Sequence, residues 1–340
     1  MREKYNKEWN MAPLPEAEKL DVENIYKSLE SGKTDLLCVL GPTASGKTRL
    51  AVQLAGKLSE KRPAEIISAD SRQVYRGMTI GTGKDLEEYG EIPYHLIDIA
   101  PAGSRYNIYE YQRDFEKVYK DILDRGCIPV LCGGSGLYIE TVTQGYSLPE
   151  VPADPKLREK LEKEDTETLI KRLSSLKTLH NSTDYDTRKR VIRAIEIAVY
   201  EQSHPAGHSC CLPKDTYYIG TLVDRDERNR KIDARLDARL EEGLVEEVRS
   251  LIAGGITAED LMYYGLEYKF VTQYILGELD FGQMRDRLAT AIHQFAKRQM
   301  TWFRGMERRG VRIHWVKTDC AFQENTDAFA NESQTYNQQY

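Results

Sequence analysis

Leu36-Leu37-Cys38-Val39-Leu40-Gly41-Pro42-Thr43-Ala44-Ser45-Gly46-Lys47-Thr48 is the stretch on which the fold turns. Five apolar residues, short enough for a buried strand, run into a G-x-x-x-x-G-K-[ST] phosphate loop. Beyond it Leu50, Ala51, Leu54, Ala55 and Leu58 recur at helical spacing. A strand, a glycine-rich turn and a helix N-terminus bring backbone N–H groups and the positive end of a helix dipole to one point. In such a loop the backbone from Gly41 through Thr43, Ala44, Ser45 and Gly46 curls around phosphates. Lys47 supplies a point charge, and the Thr48 hydroxyl can ligate Mg²⁺. The loop specifies a polyphosphate ligand and leaves the chemistry open.

Downstream the pattern alternates strand and helix. Strands are expected at 64–69, ending at Asp70, at 95–99, at 128–132, running into Gly133-Gly134-Ser135-Gly136, and at 217–223 and 311–316. Helices are expected at 109–123, with Tyr111, Phe115, Val118 and Ile122 on one face, and at 229–252 and 284–306. The alternation predicts a parallel α/β sheet, P-loop NTPase-like, with a helical insertion and C-terminal helices. Ligands of such sheets bind at the carboxyl ends of strands, so one cleft can collect the phosphate loop, Asp70 and Ser135. The expected organisation is an N-terminal extension at 1–34, a core at 35–148 and 214–318, a helical insertion with proline-rich edges at 149–213, and a disordered polar tail at 319–340.

The 340 residues are 40% hydrophobic and 30% charged, enough for a core and a solvated surface. No apolar run is long enough to span a membrane, and the polar N-terminus lacks a signal core, which points to a cytoplasmic protein with no membrane partner. The six cysteines form neither paired C-x-x-C motifs nor a disulfide framework. The net charge is −6, yet eight basic residues against two acidic ones lie between Arg285 and Arg312, and Arg188, Lys189, Arg190 and Arg193 form a second cluster. Charge placement, more than the sum, decides nucleic-acid affinity.

Four blocks carry chemistry. The phosphate loop is the first. Ser68 to Lys84 is the second, where Asp70 is placed to act as a general base, a metal ligand or a helix N-cap. Gly133 to Tyr138 is the third, a tight βα turn whose N–H groups and Ser135 hydroxyl suit an anion. In the fourth, 284–306, Leu288, Ile292, Phe295, Gln299, Trp302 and Met306 make a core-facing stripe. His293, Lys297, Thr301, Arg304 and Arg308 make a basic stripe suited to a phosphate backbone.

Together, GPTASGKT (41–48), SADSRQVYRGMTIGTGK (68–84), IPYHLIDI (92–99), GGSGLY (133–138) and AKRQMTWFRG (296–305) resemble the tRNA dimethylallyltransferases, also called tRNA isopentenyltransferases. The resemblance runs from about residue 36 to 316. It implies transfer of a dimethylallyl group from dimethylallyl diphosphate to the exocyclic amine of the adenosine 3′ of the anticodon in tRNA, with Mg²⁺, by a monomer whose insertion grips the anticodon stem-loop. It makes Asp70 the base, Gly46-Lys47-Thr48 the diphosphate cradle with Thr48 nearest the metal, and Ser135 a polar contact at the reacting centre. It puts Asp70, Ser71, Gln73, Arg188, Arg193, Lys297, Arg298, Gln299 and Arg304 on the tRNA. The family's Gly-Tyr-Arg motif, whose Arg helps hold the diphosphate, here reads Glu267-Tyr268-Lys269. Lys269 keeps the charge and loses the bidentate fork.

Three other readings share parts of the pattern. A P-loop small-molecule kinase needs the loop but not the basic helix. An adenylate isopentenyltransferase would alkylate free AMP or ADP with similar motifs and would not need the insertion. A non-catalytic RNA-binding module would have no use for Lys47, Thr48 and Asp70.

Overall fold

In the computed structural model, which describes residues 14–145, 151–176, 187–203 and 211–323, Leu36–Leu40 forms β1 and is buried on both faces. Leu36, Cys38 and Leu40 pack into one apolar cluster, and Leu37 and Val39 into another. A strand covered on both sides is the centre of a parallel sheet. The remaining strands are β2 (Ala64–Ser68), β3 (Tyr94–His95), β4 (Ile128–Gly133), β5 (Thr216–Thr221) and β6 (Ile313–Val316). They pair in the order β3-β2-β4-β1-β5-β6, every pair parallel. Helices α1 (Val22–Glu30) and α2 (Lys47–Ser59) supply one cluster, and α3 (Ile108–Asp124) and α4 (Gly136–Thr143) the other.

By contact the chain divides into two units, Met1–Gly145 with Leu212–Tyr340, and Tyr146–Cys211. The second contains α5 (Pro155–Leu161), α6 (Thr166–Leu176) and α7 (Arg188–Ser203), closed over Leu161, Leu169, Leu173, Val191 and Ile195. The first adds α8 (Arg225–Glu241), α9 (Leu244–Ala253), α10 (Ala258–Tyr263), α11 (Leu266–Ile275) and α12 (Phe281–Arg308). These five share an apolar cluster that includes Ile232, Leu244, Leu261, Tyr268 and Leu288.

Several expectations need correction. The strand expected at 95–99 stops at His95, because Leu96 and Asp98 take positive φ (62° and 56°) and the chain turns. The turn is held by the buried Lys84 ammonium, which bonds the Asp98 carboxylate and, at 2.6 Å, the Tyr75 carbonyl. The helix expected at 229–252 is two, broken at Gly243, whose φ of 103° suits glycine. On α12 the buried stripe is Leu288, Ile292, Ala296, Gln299, Phe303 and Met306, while Phe295 and Trp302 are 39% and 36% exposed. Within the expected N-terminal extension, Leu20, Ile25 and Leu29 are core residues. Within the expected tail, Ala321 is buried and accepts the Leu20 N–H at 2.6 Å; residues 324–340 lie outside the described residues.

Candidate active site

The phosphate loop leaves the carboxyl end of β1 under tight steric control. A Cβ on Gly41 would stand 1.9 Å from Thr221 Oγ1 on β5, so only glycine fits. Ser45 Oγ donates to the Pro42 carbonyl (2.7 Å) and lies 2.6 Å from Thr221 Oγ1. Ala44 and Gly46 take positive φ (58° and 78°), which turns the chain into α2. Gly46 caps α2 without any side-chain hydrogen bond, so the first-turn N–H groups face the ligand side uncapped.

Lys47 and Thr48 border a cavity of about 380 Å³. Its walls also include Asp70, Ser71, Arg72 and Gln73 after β2, Ser135 after β4, Arg235 and Arg239 of α8, residues 262–269 of α10 and α11, and Phe295 and Arg298 of α12. Asp70, Ser135 and Lys269 are thus brought together with the phosphate loop. Asp70 caps no helix. Its Oδ1 accepts the Arg72 N–H at 2.9 Å, and the carboxylate has no ion pair among the described residues. Ser135 Oγ accepts the Ser71 N–H (3.1 Å) and donates to Ser71 Oγ (3.3 Å), tying the β2 and β4 loops together. Burial lowers the Lys47 ammonium below the usual lysine range, with Cys132 and Asp70 opposing that shift. Burial likewise pushes the Cys132 thiol up to about 12, which keeps it neutral.

Other expected contacts are spent elsewhere. Gln299 is buried: its Nε2 donates to the Gly134 carbonyl and its Oε1 accepts the Thr43 N–H, both at 2.9 Å. It bridges two ligand loops through both ends of its amide, and the Thr43 N–H is taken from the expected phosphate cradle. Gln73 lines the cavity, but its amide is bonded to Ser68 Oγ (3.2 Å) and the Gly83 carbonyl (3.0 Å). In the helical unit, Arg188 donates to the Glu162 carbonyl at 2.7 Å. Arg193 donates to the Val151 carbonyl at 2.7 Å and to Glu196 at 3.1 Å. Both arginines hold their own unit together instead of presenting free guanidinium groups to RNA. On α12, Lys297 and Arg298 are exposed, with Arg298 over the Phe295 ring, and Arg304 pairs with Glu307 at 3.0 Å.

Sequence reading missed the α8 wall. Arg235 pairs with Asp85, and Arg239 lies 3.9 Å from Glu267. The loop facing them is fixed by the Glu247 carboxylate, which accepts the Thr79, Ile80 and Gly81 N–H groups (2.8, 2.8 and 3.0 Å) and the Tyr268 hydroxyl (2.7 Å). The available signal was the recurrence of arginine at 235 and 239 on a helix read only as amphipathic.

For a metal, no group of three or more His, Cys, Asp or Glu side chains forms a cage among the described residues. The Thr48 hydroxyl and the Asp70 carboxylate do share the cavity. Mg²⁺ keeps several waters and binds through one or two protein oxygens plus substrate phosphates, so this sparse oxygen set suits it. No helix among the described residues is long and apolar enough to cross a membrane.

Comparison with known proteins converges on one group. The IPP transferase family model matches residues 73–306. A tRNA dimethylallyltransferase 2 of Bacteroides fragilis is 55% identical over 294 residues, covering 85% of this chain and 95% of that protein. A tRNA dimethylallyltransferase 1 of Porphyromonas gingivalis is 56% identical, covering 83% and 93%. Among solved structures, the tRNA isopentenylpyrophosphate transferase of Bacillus halodurans superposes with a TM-score of 0.61 at 31% identity, covering 88% of this chain and 94% of that one. A eukaryotic dimethylallyltransferase acting on tRNA has a TM-score of 0.68 over 88% and 79%, and at 23% identity it speaks for the fold alone.

Proposed function

The chain belongs to the IPP transferase family, and from that premise we propose that it transfers a dimethylallyl group from dimethylallyl diphosphate to the exocyclic N6 amine of the adenosine 3′ of the anticodon in tRNA. One observation carries the reading. Lys47, Thr48, Asp70 and Ser135 line one cavity beside the uncapped N-terminus of α2.

The chemistry follows from what each side chain offers. An adenine amine is a weak nucleophile, because its lone pair is delocalised into the ring. Allyl transfer compensates when the C1–O bond breaks early and the positive charge spreads over the allyl group. The N6–C1 bond forms, the bonding pair of C1–O leaves with the diphosphate, and one N6 proton passes to the Asp70 carboxylate. The leaving diphosphate gathers charge as the bond breaks. Lys47, the uncapped α2 N–H groups and Lys269 therefore stabilise the transition state more than the bound substrate. Thr48 and Asp70 would hold Mg²⁺, which when bound neutralises diphosphate charge. Ser135 holds Ser71 and its loop at the acceptor side.

A target base in a loop must leave its stack to react. The exposed cations Lys297 and Arg298 of α12, with Arg304, suit the tRNA backbone near the cavity. The helical unit Tyr146–Cys211 is assigned to the anticodon stem-loop.

Asp70→Asn tests the reading, since it keeps the hydrogen bond to the Arg72 N–H and removes the base. Turnover falls by about 10² to 10⁴ while tRNA affinity stays within about twofold. Equal losses in turnover and affinity would make Asp70 a structural residue.

A further inference from the structure

The α8 wall contains an arginine whose surroundings are incomplete. The Arg239 side chain is 12% exposed and borders the cavity. Its sole ion-pair neighbour among the described residues is Glu267, at 3.9 Å, and it makes no hydrogen bond there. A guanidinium carries five N–H donors in a rigid fork, and a desolvated charge without hydrogen bonds is costly. Arg235, one turn earlier, is by contrast paired with Asp85 and bonds the Gly83 carbonyl.

The position of Arg239 is built rather than incidental. A Cβ at Gly83 would stand 1.6 Å from Arg239 Nη2, so the guanidinium approaches a backbone that only glycine leaves open. The Gly83 loop is itself fixed, by Gln73 at its carbonyl and by Glu247 at residues 79–81. Burial disfavours the charged form of Arg239, and burial raises the Glu267 carboxyl above the ordinary range. The two side chains keep 12% and 20% exposure and approach each other no closer than 3.9 Å. Lys47, Asp70, Arg235 and Glu267 line the same cavity as Arg239, so these groups surround one space.

We propose that Arg239 is a diphosphate-binding residue. Its guanidinium donates to the non-bridging oxygens of the allylic diphosphate from the wall shared with Arg235, and Glu267, 3.9 Å away, restrains it. The inference rests on the dimethylallyl-transfer reading of the same site. It also accounts for Lys269: the two-pronged contact that a lysine cannot make is supplied from α8 instead. Charge-assisted hydrogen bonds of this kind lose about tenfold to a hundredfold in affinity when deleted.

Calorimetric titration of the full-length protein with inorganic pyrophosphate and Mg²⁺ tests it, using wild type, Arg239→Met, Arg239→Lys and Lys47→Ala. Arg239→Met keeps the length of the side chain and removes the fork. The expected result is tenfold or greater weakening in Arg239→Met, a smaller loss in Arg239→Lys, and tRNA affinity without pyrophosphate unchanged in both. Should Arg239→Met fail to fold by thermal melting, Arg239→Lys decides alone. Wild-type affinity in a folded Arg239 variant, with Lys47→Ala still defective, would overturn the role of Arg239 and leave the transfer reading intact. No pyrophosphate binding by wild type would overturn both.

Discussion

Gln299 spans from α12 to the phosphate loop and the β4 loop with one amide, and its partner Thr43 lies 256 positions away in the chain. Gln299→Leu fills the same space, leaves the Gly134 carbonyl buried without a partner and releases the half-buried Thr43 N–H to the cavity. A buried orphaned group costs about 1–3 kcal/mol. Chemical denaturation is therefore expected to show a loss of at least about 1 kcal/mol, with a raised KM for the diphosphate substrate. A loss below about 0.5 kcal/mol would contradict the bridging role. This residue also marks where sequence reading stops. Gly41, Gly46 and Lys47 are legible because loop geometry and phosphate charge dictate them locally. The task of Gln299 is set by loops distant in sequence, so helical spacing placed it in the core and family resemblance placed it on tRNA. Arg239 was hidden for the same reason: its significance comes from Gly83 and Glu267, which only the tertiary fold brings near.

At the scale of elements, the central strands were readable because burial on both faces leaves an unbroken apolar run. The edge strand β3 was overextended, since the apolar residues after His95 turn back toward the ion pair between buried Lys84 and the more exposed Asp98. Glu65 stands at the start of β2, its side chain 6% exposed, and joins three elements. It meets Arg125 after α3, at 2.9 Å to Nη2, and His95 of β3 at 2.7 Å. The Arg125 guanidinium holds the Glu65 carboxyl down at about 2, against 4.5 when unperturbed. A depressed carboxylate stabilises the fold above its unfolded pKa, and that contribution drains away as pH falls from about 4.5 toward 2. Glu65→Gln should flatten acid-induced loss of stability across that window, as read by denaturation at fixed pH steps. A profile parallel to wild type would assign the acid sensitivity elsewhere. On α12, periodicity could not separate the packed face from its margins, so Phe295, which borders the cavity, and the partly exposed Trp302 were read as core. The exposed Lys297 beside them bears on binding. Lys297→Glu is expected to weaken tRNA binding and reduce its logarithmic salt slope by about 1, whereas Arg304→Glu does less because Arg304 already pairs with Glu307. An unchanged slope in the Lys297 variant would assign that face to solvent.

For the whole molecule, the α/β sheet was legible from alternation, since a parallel sheet needs helical crossovers and its ligands gather at the strand ends. What was not legible was the second half of the cavity. Helices α8, α10, α11 and α12 line it, and sequence reading gave α10 and α11 no secondary structure at all. A net charge of −6 is compatible with binding tRNA because cations concentrate locally, on α12 and around the phosphate loop. Each neighbouring reading needs only part of this assembly. A kinase uses the loop, a nucleotide prenyltransferase uses the loop and base, and a binding module uses the basic faces. The decisive measurement is a transfer assay with the full-length protein, Mg²⁺ and radiolabelled dimethylallyl diphosphate, offered unmodified tRNA or AMP as acceptor. The account predicts label in tRNA, at the adenosine 3′ of the anticodon, and none in AMP. Label in AMP alone, or no transfer with ATP consumed instead, would contradict it.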